Sequence, residues 1–178
     1  AIADGKATDA VQVIVTDATG NVVPDAAVKF SSPDAINVAT PTTTTDAQGV
    51  ATTTLTSTKA GSFTVNAEVN GKQSAVEVSF VADGGSAEIA QGAFTVTVDD
   101  AIADGKATDA VQVIVTDATG NVVPDAAVKF SSPDAINVAT PTTTTDAQGV
   151  ATTTLTSTKA GSFTVNAEVN GKQSAVEV

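Results

Sequence analysis

The sequence predicts an all-β chain made of two tandem Greek-key β-sandwich domains joined end to end. Three observations carry that expectation. Residues 1–78 and 101–178 are identical at every position, so the chain repeats with a period of 100 residues. Val and Thr dominate and alternate with a period of two, the pattern of strands with one buried and one wetted face. Turn chemistry recurs roughly every 8–12 residues, the spacing of a sandwich with about seven short strands. A period of this size exceeds one turn of a solenoid, so each copy should close its own core.

Taken in chain order, Val11, Val13 and Val15 form one inward face, with Gln12 and Thr16 opposite. Asp17-Ala18-Thr19-Gly20-Asn21 breaks that run with turn residues. Val28 and Phe30 make the next inward pair, with Lys29 directed to water, and Pro33-Asp34 marks a loop. Thr42 to Thr45 reads as a short strand after Pro41. In Asp46-Ala47-Gln48-Gly49, Asp46 can accept from backbone N–H groups and Gly49 can take positive φ. Ala51, Thr53 and Leu55 point inward on the following strand. Lys59-Ala60-Gly61 turns the chain, and Phe63, Val65 and Ala67 return it. Asn70-Gly71 is the strongest hairpin signal, because a two-residue type I′ turn needs positive φ twice. The strand after it presents Val76, Val78 and Phe80. Phe94, Val96 and Val98 form a strand that can serve as the first of the second copy.

The domains are therefore expected at residues 1–83 and 93–178, with a polar joint at 84–92 in and after Asp83-Gly84-Gly85-Ser86. The first copy has no counterpart of Phe94-Thr95-Val96-Thr97-Val98, and the second breaks off at Val178, where the first continues Ser79-Phe80-Val81. An open sheet edge in the first copy is the consequence, a place another copy can complete by strand contact. Identity over 78 positions implies recent copying or recombination, and the chain reads as a segment of a longer array. Each core is thin, with three Phe per 100-residue period, so Val and Ala must fill the space between sheets and stability should be modest.

Composition removes most catalytic chemistry. The 178 residues contain no His, Arg, Cys, Met, Trp or Tyr and carry a net charge of −12. No imidazole base, thiolate nucleophile or Cys/His zinc site can be built, and Ser31-Ser32 and Ser57 have no base to activate them. No catalytic residue and no cofactor is assigned. Apolar runs such as Val13-Ile14-Val15 are too short to span a bilayer, and the acidic surface disfavours nucleic acid and anionic lipid. Each copy carries eight acids and four lysines, whereas the 22 residues between them carry four acids and no base.

Together, these turn and core residues resemble the group 1 bacterial immunoglobulin-like domains of intimin and invasin-type adhesins, the inverse autotransporters. The resemblance rests on Asp4-Gly5, Val11, Val13, Val15, Asp17, Gly20-Asn21, Val28 and Phe30. It continues through Thr45-Asp46, Gly49, Ala51, Leu55, Ser57, Ala60-Gly61, Val65, Ala67 and Asn70-Gly71, and covers both copies. It implies immunoglobulin-like domains and a stalk that holds a distal binding domain away from the bacterium, at the cell surface. It also implies anchorage through an outer-membrane barrel elsewhere in the parent protein. Partners implied are neighbouring identical repeats, the distal adhesin domain and that barrel; a module that itself binds a host or neighbouring-cell partner through a sheet edge or loop is the alternative.

Three further features invite a site. Asp83, Glu88, Asp99, Asp100, Asp104 and Asp109 could supply the oxygen ligands that calcium prefers, although Asp is also the usual turn residue and no DxDxDG loop occurs. Thr52, Thr54, Thr56 and Thr58 recur at every second position, a spacing that could order water, although strand twist works against a flat array. A Lys–Asn isopeptide bond would need a buried Lys, whereas Lys29 alternates outward and Lys6, Lys59 and Lys72 lie in turns.

Overall fold

The computed structural model describes residues 1–178, and all of its regular structure is strand. Two compact units divide the chain, Ala1–Val81 and Ala82–Val178. In the first unit the strands are β1 (Asp9–Ile14), β2 (Ala27–Ser31), β3 (Asn37–Val38), β4 (Thr42–Thr44), β5 (Val50–Thr56), β6 (Gly61–Val69) and β7 (Lys72–Phe80). They form two antiparallel sheets in the orders β1-β5-β3 and β4-β2-β6-β7. Alternation decides which side chains lie between the sheets: Val28 and Phe30 from β2, Ala51 and Leu55 from β5, Val65 from β6 and Phe80 from β7 are all buried. Lys29 stands outside, as period two requires.

The second unit contains β8 (Glu88–Val98), β9 (Asp109–Thr116), β10 (Ala127–Ser131), β11 (Asn137–Val138), β12 (Thr142–Thr144), β13 (Val150–Thr156), β14 (Thr164–Val169) and β15 (Lys172–Glu177). Its sheets run β11-β13-β9-β8 and β12-β10-β14-β15, the same arrangement with one strand added. Val111, Val113, Val115, Val128, Phe130, Leu155 and Val165 fill its core.

Turn chemistry explains the connections. Asp46 Oδ1 accepts from Gln48 N and Val50 N, each at 2.9 Å, closing the β4–β5 corner. Asn70 and Gly71 have φ of 49° and 76°, the two positive values a type I′ hairpin needs. Thr45 is buried: its hydroxyl donates to Val23 O at 2.7 Å and accepts from Ala26 N at 2.9 Å, pinning the chain before β2. That anchoring role is absent from a reading of Thr42–Thr45 as strand alone.

Two expectations meet a different structure. The strand expected at Phe94 begins at Glu88, within the span 84–92 assigned to a polar joint. Its register shifts between Ile89 and Phe94, and Gly92 takes φ of 74° inside that shift. Ala90-Gln91-Gly92-Ala93 is thus an irregularity within the strand, where alternation and register are interrupted before pairing resumes at Phe94. Second, Val76 does not share the burial of Phe80 and is 51% exposed, because no strand covers that side of β7. Its counterpart Val176 packs on the core of the second unit, where β8 is present.

Candidate functional site

The acidic residues before and after β8 accept from nearby backbone amides, and Glu88 from a lysine. Asp104 Oδ1 accepts from Lys106 N at 2.7 Å and Ala107 N at 2.8 Å, and the Ala107 and Lys106 amides hold its carboxyl below the usual range. Asp99 accepts from Asp100 N and Asp109 from Ala101 N, both at 2.9 Å. Asp83 Oδ1 takes the Gly85 N–H at 3.0 Å, and Glu88 pairs with Lys172. No three acidic groups stand together as a cation would require.

The other sequence candidates resolve similarly. Ser57 Oγ donates to Lys59 O at 2.8 Å and accepts from Lys59 N at 2.9 Å, which makes it a turn cap. Ser32 Oγ donates to Thr64 O at 2.6 Å and ties β2 to β6. On β5, Thr52 and Thr54 are exposed and Thr56 is half-buried, while Thr58 lies beyond the strand. Lys29 is exposed, so no buried Lys–acid pair arises there.

What distinguishes the molecule is a difference between identical residues. In the second unit β8 pairs antiparallel with β9, setting Ile89 opposite Val115, Phe94 opposite Val113 and Val96 opposite Val111. All three valines are 0% exposed, and the Phe94 ring meets Phe130 at a centroid distance of 6.2 Å. The segment before β8 also locks on: Asn170 Nδ2 donates to Gly84 O at 2.9 Å and Ala87 O at 3.1 Å. Asp83 N donates to Asp117 Oδ2 at 3.1 Å, and Ala118 N donates to Ser86 Oγ at 3.2 Å. Burial pushes the Asp117 carboxyl up, but bonds from Asn121, Thr119 and Asp83 outweigh it and bring the pKa to about 2.

In the first unit β1 has β5 on one side and no strand on the other. Val13 and Val15 are only half-buried, and Ile14 is exposed. Asp17 is exposed; bonds from Thr19 and Asn21 hold its carboxyl well below the usual range, without the covering segment that Asp117 has. Two hollows follow the uncovered side. One of about 70 Å³ is lined by Val11, Val13, Phe30, Val65 and Val76, and one of about 510 Å³ by Val15, Asp17, Val69, Asn70 and Lys72 among others.

The opposite end shows the converse. In the first unit β7 runs on to Phe80, whose ring meets Phe63 at 6.1 Å, and Val81 bridges Ile2 in parallel fashion. Ala3 N donates to Val81 O at 2.8 Å, and Val81 N donates to Ala1 O at 2.9 Å. The second unit runs to Val178, the counterpart of Val78. There Ile102 is 76% exposed, and a cleft of about 530 Å³ lies between residues 99–109 and 157–163.

Comparison with known proteins agrees with this architecture. The family model described as bacterial Ig-like domain (group 1) matches residues 1–81 and 91–178. The inverse autotransporter adhesin YeeJ of Escherichia coli K12 is 32% identical over 180 residues, covering 95% of this chain and 8% of YeeJ. The structure of Yersinia pseudotuberculosis InvD superposes with a TM-score of 0.74 at 21% identity, over 99% of this chain and 53% of that one. The D0–D1 domains of intimin align at 27% identity with a TM-score of 0.45, over 99% and 92% of the two chains.

Proposed function

Because the chain belongs to the bacterial Ig-like domain (group 1) family, we propose that its units are spacer repeats of a bacterial cell-surface adhesin, extending a distal binding domain from the outer membrane. One observation carries this reading: the same 78 residues occur twice, and each occurrence forms the greater part of a separate hydrophobic core. Copying such a unit adds length without adding a new active centre. The chain spans 8% of the length of its relative YeeJ, an inverse autotransporter adhesin. Neighbouring repeats, the distal adhesin domain and an outer-membrane barrel are the partners this role implies.

The repeating element, in this reading, starts at Ala82, so that the segment 82–98 belongs with the sequence that follows it. Chains with one, two and four periods test the role by electron microscopy or small-angle scattering. Reach should grow by roughly 35–40 Å per period, from strands rising about 3.3 Å per residue plus end loops. A maximum dimension that stays constant as periods are added contradicts it.

The open edge of β1 favours a second reading, in which the unit binds a partner through its sheet edge. A host-cell binding assay with the two-unit chain alone discriminates: saturable binding supports this reading, and its absence leaves the spacer.

A further inference from the structure

We propose that β8 and the segment before it form a two-stage strap: under tension residues 82–89 come away first and release residues 90–93 as slack, while residues 94–98 keep the unit closed. The break between the stages is built into the pairing. Between the pairs Ile89–Val115 and Phe94–Val113, β9 has one residue, Ile114, whereas β8 has the four residues 90–93. The excess amounts to about 10 Å of chain at a rise near 3.3 Å per residue. Gln91 and Gly92 are exposed, so this excess lies outside the core. Tension enters the second unit at Ala82, because Val81 is bonded to Ala1 and Ala3 of the first unit. It falls first on residues 83–89 and reaches Phe94 only after the slack has been drawn straight.

The two stages are held differently. The first depends on separate polar contacts: Asn170 to Gly84 O and Ala87 O, Asp83 N to Asp117, Ala118 N to Ser86 and the ion pair of Glu88 with Lys172, whose side chains are both about half exposed. Water can replace such contacts one at a time. Its apolar anchors are few, with Ala87 buried and Ala82 and Ile89 partly so. The second stage has consecutive ladder pairs from Phe94–Val113 to Val98–Ala110, the Phe94 ring on Phe130, and Val96 packed against the core. Its removal uncovers Val111 and Val113 together, so it goes with the core and not before it. Tension is what a spacer carries, so the setting of this device rests on the spacer reading; the order of release does not.

The test stretches the full chain by its two ends in an optical trap. A short, reversible extension of at most about 40 Å, the extended length of residues 82–93, should precede the loss of the second unit, which releases roughly 300 Å. Asn170→Gly removes both side-chain bonds yet suits the positive φ of 49° at that turn. It should speed the short step about tenfold at a given force and leave the large step unchanged. Glu88→Gln, which breaks the ion pair without touching the turn, should act in the same direction more weakly. Phe94→Ala should do the reverse, moving the large step to lower force while the short step stays. Loss of the second unit in one step with no short extension overturns the proposal. So does a short step indifferent to both Asn170→Gly and Glu88→Gln, or one that Phe94→Ala shifts as much as the large step. None of these outcomes depends on how reach grows with added periods, so the strap and the spacer role fail separately.

Discussion

Residues 9–14 and 109–114 are the same in the same order, followed by the same 64 residues to Val78 and Val178, and yet only the second run, in β9, is covered. Val113 and Val115 are fully buried, whereas Val13 and Val15 are half-buried. The ends nearest Phe63 and Phe163 differ in the opposite sense: Phe80 completes the first unit, and no equivalent completes the second. Burial at the edges of each unit is therefore not fixed by the 78-residue repeat alone. The segment 79–98 confers it, with residues 79–81 closing the unit before and residues 82–98 closing the unit after. Each unit keeps one aromatic pair, Phe63–Phe80 in the first and Phe94–Phe130 in the second.

The strongest way to break this comparison is Phe80→Ala. A fully buried ring lost from a core costs about 3–5 kcal/mol. The first unit should lose most of its stability while the second, which has no such residue, melts unchanged; calorimetry of the two transitions reads this directly. Phe94→Ala is the converse. The ring is half-buried, so about 2 kcal/mol should be lost from the second unit alone, moving it towards the first unit in denaturant titration.

A subtler contrast uses one substitution at two equivalent places. Val113→Ala removes about two buried methyl groups and should cost about 2 kcal/mol, whereas Val13→Ala at the uncovered edge should cost about half as much. Equal losses in urea-induced unfolding would show that β8 adds no burial in solution.

The smallest effect is acid dependence. The folded pKa of Asp117, about 2, lies below its ordinary value of 3.8, so the ionised form favours folding. That contribution is complete above 3.8 and is lost as the pH falls through about 2. Asp117→Asn should flatten the acid limb of the second unit across that window. Only this variant should also release the Asp83–Ser86 segment, because Asp17 holds no such segment. A titration of melting temperature against pH for Asp117→Asn and, as its counterpart, Asp17→Asn checks both points.

Much of this was legible in the sequence because the fold is written in period-two alternation and in turns with strict φ requirements. Val28, Phe30, Ala51, Leu55 and Val65 could be placed inward, and Asn70-Gly71 could be read as a hairpin, from those rules alone. The open edge of the first copy was legible as well, from the lack of a Phe94 counterpart. The start of β8 was not. Its first half breaks alternation at Gly92, and a Gly-containing polar stretch looks the same whether it is a free joint or an irregular strand held by a neighbour. Nor could alternation reveal that Val76 is exposed, since it gives the face of a residue and not what lies over it. The acidic residues were ambiguous because Asp serves turns and cations with the same oxygens; here backbone amides take them.

Amide hydrogen exchange of β1 against β9 tests the central claim most directly. The two strands have identical sequences and hence identical intrinsic rates, so any difference reports structure. Because their peptides share one mass, NMR on a segmentally isotope-labelled chain is required. The amides of β9 should be protected throughout, while every second amide of β1, directed to its open side, should exchange as quickly as in an unstructured peptide. Equal protection along both strands would contradict the account.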